Sequence, residues 1–282
     1  MHTSIADERI LVFKPQITLE EAKDKAWKKK MDAFGTVNKV ASFLSRPKDA
    51  DFSLVYSESR FEPFWHVKGY SKYVYDRKTQ YQWQVSGKEV QRLTIEGKDY
   101  PVANQNFTLE ATDHCQQEEN EEVFVDGLSG AKNQKLSEYL QFAAPVVAKD
   151  ELVAYTQENI ILVPPKARVS AIVREVLGHA IKVIQADEIF EEKVELKNVD
   201  LYYRPVYAFQ YKWLSKEKEA IVEIDGLTGN VSFGHKTFRE FLGKALDQQF
   251  LFDVGADAAG IFLPGGSIAV KLAKKYIETK KK

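Results

Sequence analysis

The stretch Tyr203–Trp213, YRPVYAFQYKW, alternates large apolar side chains with other residues, which is typical of a β-strand with one buried face. One face of this predicted strand carries four aromatic residues, Tyr207, Phe209, Tyr211 and Trp213. A second apolar run, Ala220–Ile224, follows a short loop and ends in Asp225-Gly226-Leu227-Thr228-Gly229. The pattern predicts two paired antiparallel strands that end in a tight turn.

The first half of the chain carries the same features in the same order. Ile10–Phe13 leads into a helix-like stretch, as Ile161–Val163 does later. Phe61–Trp65 opens an aromatic alternation, and Asp126–Gly130 closes it with the turn sequence DGLSG. This internal similarity predicts a duplicated structural unit.

Each unit contains one predicted helix. The first helix, at about 18–34, begins with the capping-box sequence Thr18-Leu19-Glu20-Glu21, and Gly35 is placed to end it. The second helix, at about 169–186, has a broad apolar face. We expect each helix to pack on an antiparallel sheet that contains Trp65 or Tyr207, and each aromatic face to be covered by the helix of its own unit.

The first unit is longer than the second. Its surplus predicts two short strands, Val90–Ile95 and Asn106–Ala111, and an acidic mobile loop at His114–Glu122. Pro63 and Pro205 are expected at the beginnings of strands, where a missing N–H does least harm. Further helical patterns occur at 135–144 and 237–251.

The predicted fold is therefore α+β. It consists of two related strand-helix-strand-strand modules with antiparallel sheets, followed by a C-terminal helical tail. The expected domains are 1–150, a first module with inserted strands, and 151–250, a second module. Residues 251–282 form a Gly/Ala-rich helical tail in this interpretation.

The composition is that of a globular protein. The chain has 282 residues, of which 44% are hydrophobic and 29% charged. Forty Lys and Arg nearly cancel 41 Asp and Glu, so the overall charge does not favour nucleic acid. The single Cys115 excludes an internal disulfide, and the first residues lack the pattern of a secretory signal, so we expect a cytoplasmic protein.

The stretch Val194–Val231 resembles the PepSY type of module, in which a helix precedes two strands and the second strand ends in Asp-x-x-Thr-Gly. Asp225, Thr228 and Gly229 match that ending, and Asp126–Gly130 repeats the turn with Ser129 in place of Thr. The resemblance covers about a third of the chain and implies an inhibitory or binding domain without catalysis. PepSY modules usually occur in exported or membrane-linked proteins, whereas this chain shows no export signal.

Residues with catalytic chemistry do not converge in the sequence. His114 and Cys115 are adjacent and would point to opposite faces of a strand, which is poor geometry for a shared metal or a nucleophile–base pair. Leu263–Ser267 lacks the Lys-Ser/Thr ending of a phosphate-binding loop. We therefore predict no catalytic residue, no cofactor and no metal, and an enzyme is not the favoured interpretation.

The aromatic strands offer a binding hypothesis. Exposed Tyr and Trp on a sheet face could bind a ligand, and the candidate residues are Trp65, His66, Tyr73, Tyr75, Tyr207, Tyr211 and Trp213. The alternative, which we favour, is that this aromatic face is core. His66 has the opposite phase to Trp65, so we expect it to face solvent or a groove if Trp65 is buried.

The C-terminal tail offers a second surface. Its candidate interaction residues are Phe262, Pro264, Ile268, Lys271, Lys274 and Lys275. The tail could cover an apolar patch of the second module, self-associate or contact an anionic membrane.

The leading functional hypothesis is a non-enzymatic binding or scaffold protein with a protein, peptide or second copy as partner. A peripheral membrane protein that uses the tail is the alternative, and a hydrolase is third.

Overall fold

The computed structural model describes residues 2–35, 48–152, 154, 160–234 and 237–241. The strands are β1 (His2–Ile5), β2 (Glu8–Val12), β3 (Phe52–Gln84), β4 (Arg92–Ile95), β5 (Lys98–Pro101), β6 (Asn106–Asp126), β7 (Ile160–Leu162), β8 (Glu188–Trp213), β9 (Lys218–Asp225) and β10 (Val231–Gly234). The α-helices are α1 (Leu19–Ala33) and α2 (Val169–Ala180). Short 3-10 helices span Asp49–Asp51, Gln134–Gln141, Leu214–Lys216 and Arg239–Phe241.

Eight of the described strands form one large, curled, mainly antiparallel sheet, whose main path has the order β10-β9-β8-β3-β6. Strands β1 and β2 add to β8 in parallel, and β7 adds to β3 in parallel. The predicted α+β fold of two modules with a helical tail is therefore wrong: the protein is mostly β-sheet, and both halves contribute to the same sheet. Residues 251–282, the predicted tail, lie outside the described residues.

The central strand pair β3–β8 is symmetric about one residue pair, Glu62 opposite Arg204. On either side of it, Phe61 lies opposite Pro205 and Pro63 lies opposite Tyr203. The flanking strands follow the same symmetry. β2 from the first half adds to β8, with Phe13 N–H donating to the Tyr203 carbonyl, and β7 from the second half adds to β3. Each half thus gives its first strand to the long strand of the other half.

Each helix packs on the part of the sheet to which the strand before it adds. α1 packs on β8 and β9, where Ala22 and Ala26 meet the aromatic row that ends at Trp213. α2 packs on β3 and β6, over Trp65 and Tyr73. The prediction that each aromatic face is covered by the helix of its own unit is wrong, because each helix covers the aromatic face of the other half.

The local signals of the first helix are confirmed. Thr18 accepts a hydrogen bond from the backbone N–H of Glu21, and the Glu21 carboxylate accepts one from the N–H of Thr18. Gly35 follows the helix with φ of +88°. The second helix ends at Ala180, six residues earlier than expected.

Pro63 and Pro205 lie in the middle of strands, not at their beginnings. The Pro205 carbonyl accepts a hydrogen bond from Gly226 on the outer side of β8, so the proline nitrogen points to that side as well. There the neighbour of β8 changes from β2 to β9, and the missing N–H interrupts no ladder. Pro63 occupies the same position on β3, where the neighbour changes from β7 to β6.

The two DGL turns explain why this sequence occurs twice. Asp225 accepts hydrogen bonds from the backbone N–H groups of Leu227 and Thr228, and Asp126 makes the same pair of bonds in the first half. A Cβ atom on Gly127 would lie 2.5 Å from the Pro63 carbonyl oxygen, so only glycine fits there. The turn therefore packs directly against the proline of β3.

The predicted mobile loop at His114–Glu122 is wrong, because these residues continue β6 without interruption. The acidic residues of this stretch lie beside basic residues of β3. Lys68 is directly opposite Glu122, and Lys72 is directly opposite Glu118. Opposite charges across an antiparallel pair stabilise the strand where apolar alternation is missing.

The other predicted helices differ in type or extent. Gln134–Gln141 is a 3-10 helix within the region predicted at 135–144. Of the pattern predicted at 237–251, the structure describes 237–241, which contain a short 3-10 helix. No helix among the described residues is long and apolar enough to cross a membrane.

Candidate functional site

The sheet has two faces, and both are buried near its centre. The helix face lies under α1 and α2 and carries the aromatic rows. The opposite face, here called the polar face, carries the central polar cluster, whose members are Glu58, Arg60, Glu62, Tyr139, Arg204, Glu223 and Asp225. Because strand residues alternate between faces, the buried charges of β3 occupy every second position from Glu58.

Arg60 is 2% exposed and binds three carboxylates. Its guanidinium donates to Glu58 at 2.8 Å, to Glu62 at 2.8 Å and to Glu223 at 2.6 Å. The ring of Phe238 covers the guanidinium at 4.7 Å. The backbone N–H of Phe238 donates to the Glu58 carboxylate at 3.1 Å, which fixes the covering segment to the cluster.

Arg204 of β8, directly opposite Glu62, belongs to the same network. Its Nη2 donates to Glu62 Oε2 at 2.5 Å, and its Nη1 donates to Asp225 Oδ2 at 2.9 Å. The Tyr139 hydroxyl donates to the same Asp225 oxygen at 2.5 Å. Glu62 therefore joins the two arginines, with one carboxylate oxygen on each.

The pKa shifts of Arg204 and Asp225 both favour the ionised form of the side chain. Burial lowers the pKa of Arg204, but attraction to Glu62, Tyr139 and Asp225 outweighs it and the net pKa is raised. Burial raises the pKa of Asp225, but hydrogen bonds from Tyr139 and from the turn outweigh it and the net pKa is lowered. Burial is the main cause that raises the pKa of Tyr139 to about 12.

Two apolar clusters flank the central polar cluster. On one side Phe13, Phe64, Tyr202 and Leu136 pack together, with Phe64 and Tyr202 stacked at 5.1 Å. On the other side Phe238 packs with Ile161 and Val163. These packed side chains limit the access of water and strengthen the ion pairs between them.

A second polar group surrounds His66. The His66 ring is 5% exposed and stacks on Phe124 at 4.5 Å. Its Nε2 lies 2.8 Å from the Glu122 carboxylate, and its Nδ1 lies 3.8 Å from Asp200. Asp200 is fully buried and accepts two hydrogen bonds of 2.7 Å from Arg9. His66 is thus buried on the polar face, not directed to solvent or a groove.

The groups on the polar face connect strands. Arg9 joins β2 to β8, Arg60 joins β3 to β9, and Glu62 joins β3 to Arg204 of β8. Among the described residues, no group of three or more His, Cys, Asp or Glu side chains could hold a metal ion. Arg60 and His66 are almost completely buried, and the arrangement joins strands of the sheet.

The candidate ligand-binding residues are separated in the fold. Trp65, Tyr73 and Tyr75 lie under α2 on the helix face. Tyr207, Tyr211 and Trp213 lie under α1, further along β8 than Leu201, which is the residue opposite Trp65. All six are buried, between 1% and 8% exposed, so they form core and not an open groove. The tail candidates from Phe262 to Lys275 lie outside the described residues.

The structure shows an exposed element that the sequence did not single out. Strand β8 begins at Glu188, opposite Asp76 of β3. Beyond this point β3 continues to Gln84 and pairs only with β6 among the described strands. Residues 77–84 and 106–113 therefore form a two-stranded arm, which carries Tyr81 and Trp83 with 42% and 56% of their surfaces exposed.

Strand β6 is the last of the described strands in the sheet, and one edge of it has no neighbour among them. The Val85 N–H donates to the Gln105 carbonyl, so odd residues of this strand direct their N–H and C=O groups toward β3. Even residues point outward, as the bond from Asn133 to the Phe124 carbonyl shows. Between 108 and 122, no described strand pairs with these outward groups.

Two shallow cavities lie beside α2, away from the central polar cluster. One, of about 380 Å³, is lined by Glu118–Glu121, His179 and Ala180. An ion pair of Lys182 with Glu119 and a hydrogen bond between His179 and Glu121 border it. The other, of about 280 Å³, is lined by Tyr75, Arg77, Gln117 and residues 182–185.

The sequence contained a signal for each missed feature. Glu58, Arg60 and Glu62 occupy every second position, with uncharged residues between them, a pattern that ordinarily predicts a solvated strand face. The uncharged sequence Thr79-Gln80-Tyr81-Gln82-Trp83-Gln84 is a strong strand pattern without any of the charges that usually protect an edge.

Comparison with known proteins gives no relative: no family model, no curated protein and no solved structure matches the chain. The resemblance of Val194–Val231 to a PepSY module therefore stays a prediction.

Proposed function

We propose that this protein is a non-enzymatic binding protein that takes up a basic, extended polypeptide along the outer edge of β6. The observation that carries the proposal is the row of outward backbone groups between 108 and 122, which no described strand satisfies. An extended peptide adds to such an edge by main-chain hydrogen bonds. A cytoplasmic location is part of this proposal and agrees with a chain that has one cysteine.

The charge of β6 supports a basic partner. The strand contains seven carboxylates and no Lys or Arg, namely Glu110, Asp113, Glu118, Glu119, Glu121, Glu122 and Asp126. Several already bind basic residues of β3 or of the segment after α2, but the strand as a whole remains acidic. A second β6 would be repelled, whereas a peptide with alternating Lys or Arg would be attracted.

The rest of the fold supports a scaffold role. β3 runs for 33 residues from the buried centre to the tip of the arm, and β6 pairs with it along 21 residues. The ion pairs of Arg60 and Arg204 fix the central part of this sheet. From residue 114 to 122, where β3 also pairs with β8, the β6 edge is therefore held in place before a partner binds, which lowers the entropic cost of binding.

The test measures binding of a fluorescent ten-residue peptide of alternating Lys and Val by anisotropy. The matched ligand carries N-methyl groups on alternate residues, which keep the charge but remove the hydrogen-bond donors. We expect the methylated peptide to bind at least about tenfold more weakly, because several main-chain hydrogen bonds are lost.

A protein variant tests the same edge. Gln116→Pro removes one outward N–H and leaves the odd-numbered ladder to β3 intact. Gln116→Thr keeps that N–H and serves as control. The proposal predicts weaker binding for the proline variant only. Equal binding of both peptides, or of both variants, would show that charge alone attracts the peptide and would refute edge pairing.

A further inference from the structure

The arm has a second edge without a neighbour in the described part of the chain, on the side of β3 where β8 would continue. The Lys78 N–H donates to the Asp187 carboxylate on that side, at the point where β8 begins. Alternation then directs the N–H and C=O groups of Gln80, Gln82 and Gln84 to the same side. No strand among the described residues pairs with them.

This edge lacks charge. Residues Thr79–Gln84 contain no Asp, Glu, Lys or Arg, in contrast with the acidic edge of β6. Natural proteins usually protect a long open edge with charge, proline or a bulge, and none of these occurs between Thr79 and Gln84. A two-stranded ribbon is also marginally stable without a third strand. An uncharged edge of this kind is complementary to itself.

We propose that two copies of the chain pair through this edge, antiparallel, with Gln82 opposite Gln82 of the partner subunit. In this register Gln80 lies opposite the partner's Gln84, so all three outward residues of each copy form hydrogen-bonded pairs. The two arms together make a four-stranded sheet in the order β6-β3-β3-β6.

The aromatic residues fit the same register. Tyr81 lies opposite Trp83 of the partner subunit in a non-hydrogen-bonded pair, the closest type of side-chain pair. Both residues are substantially exposed in the single chain. Pairing places four aromatic rings together on one face, and cross-strand aromatic pairs stabilise antiparallel sheets.

Other registers use fewer outward groups. A dimer centred on Gln80 would place Gln82 opposite the partner's Lys78, whose N–H is already bound by Asp187. A dimer centred on Gln84 would extend past the end of β3. The register centred on Gln82 is therefore the best match.

The inference is independent of the proposed function because it uses the opposite edge of the arm. Both β6 edges remain on the outside of the four-stranded sheet. Binding of a basic peptide can fail while the dimer forms, and the reverse also holds.

Single cysteines test the register in full-length protein that carries Cys115→Ser. Gln82→Cys places the two thiols directly opposite each other, at about 5.5 Å between Cα atoms, which suits a disulfide. Gln80→Cys places the two copies of residue 80 about 13 Å apart, because four residues separate them along the strand. With oxidised glutathione we expect Gln82→Cys to form a covalent dimer at least about tenfold faster than Gln80→Cys.

Sedimentation over a wide concentration range tests pairing without cross-linking. Gln82→Pro removes an outward N–H and leaves the ladder to β6 intact, so it should weaken the dimer by at least about tenfold, whereas Gln82→Thr should not. Unfolding curves verify that both variants are folded. A wild-type protein that stays monomeric throughout, or equal cross-linking at positions 80 and 82, would overturn the proposal.

Discussion

Glu62 and Arg204 lie directly opposite each other in the β3–β8 pair, with 2.5 Å between Glu62 Oε2 and Arg204 Nη2. The strand pairing is symmetric about this position. Glu62 also binds Arg60 of its own half, and Arg204 also binds Asp225 of its own half. The centre of the fold is thus an ion pair between strands from different halves of the sequence.

The exchange of strands and helices predicts that the halves do not fold alone. In a fragment of residues 1–150, α1 would lack β8 and β9, on which it packs. We expect this fragment to show little helical signal by circular dichroism and no cooperative unfolding. Mixed with residues 151–282, it should regain both. A cooperatively folded 1–150 fragment would contradict the exchange and support the predicted domain boundaries.

Removal of the buried arginine should be costly. Arg60→Met leaves Glu58, Glu62 and Glu223 without their shared cation, and breaking such a buried pair costs about 3–5 kcal/mol of unfolding free energy. Arg92→Met is the control, since Arg92 makes an exposed ion pair with Asp99 worth about 0–1 kcal/mol. Urea unfolding measures both. Similar midpoints for the two variants would show that the central polar cluster contributes little.

Tyr139→Phe should show a distinctive pH dependence. Near neutral pH the loss of the hydroxyl bond to Asp225 is expected to cost about 1–3 kcal/mol. The folded protein raises the pKa of Tyr139 from 10.0 to about 12, so its contribution is complete below pH 10 and is lost as pH rises toward 12.

The stability difference between wild type and Tyr139→Phe should therefore narrow above pH 10. The other tyrosines are common to both proteins and cancel in this difference. Urea unfolding at several alkaline pH values measures it, and a constant difference across that range would argue against the raised pKa.

Two glycine-to-alanine substitutions should have opposite effects. Gly127→Ala places a Cβ 2.5 Å from the Pro63 carbonyl oxygen and is expected to destabilise the protein by about 1–3 kcal/mol. Gly178→Ala lies in α2 with nothing within 4 Å, and should stabilise it by up to about 1 kcal/mol. Thermal unfolding compares the two variants. An unchanged unfolding temperature for Gly127→Ala would mean that the turn can move away from the Pro63 carbonyl.

Trp213→Ala tests the aromatic core under α1. Trp213 is 2% exposed, with ring centroids 5.2 Å from Phe52 and 5.6 Å from Phe34. Its removal should cost roughly 3–5 kcal/mol of unfolding free energy. Phe190→Ala is the control, because Phe190 is 58% exposed and its loss should be nearly neutral.

Local chemistry made several elements predictable from sequence. The capping box at Thr18 and the two DGL turns form with the hydrogen bonds expected, because donor and acceptor are at most three residues apart. The alternation from Tyr207 to Trp213 identified a real strand and its buried face. These features depend on neighbours in sequence, so a single sequence contains them.

The alternation of residues does not predict burial correctly where both faces of a strand are covered. Glu58, Arg60 and Glu62 have the phase of a solvated face, yet they are buried, because Phe238 covers Arg60 and charged side chains of β8 and β9 bind to them. Similarly, His114–Glu122 lacks apolar alternation, and it is a strand because it pairs with β3, where Lys68 and Lys72 lie opposite two of its acidic residues. In both cases the deciding partner is distant in sequence.

The sequence by itself determined the helix start at Thr18, the two turns and the aromatic strand that ends at Trp213, since each depends on bonds or periodicity within a few residues. Only the tertiary structure decided that α1 packs on β8, that α2 packs on β3 and that Glu62 meets Arg204. Pairing between strands that are more than a hundred residues apart in sequence sets these contacts. Because the two halves have similar strands, the first strand of each half can pair with the long strand of the other half.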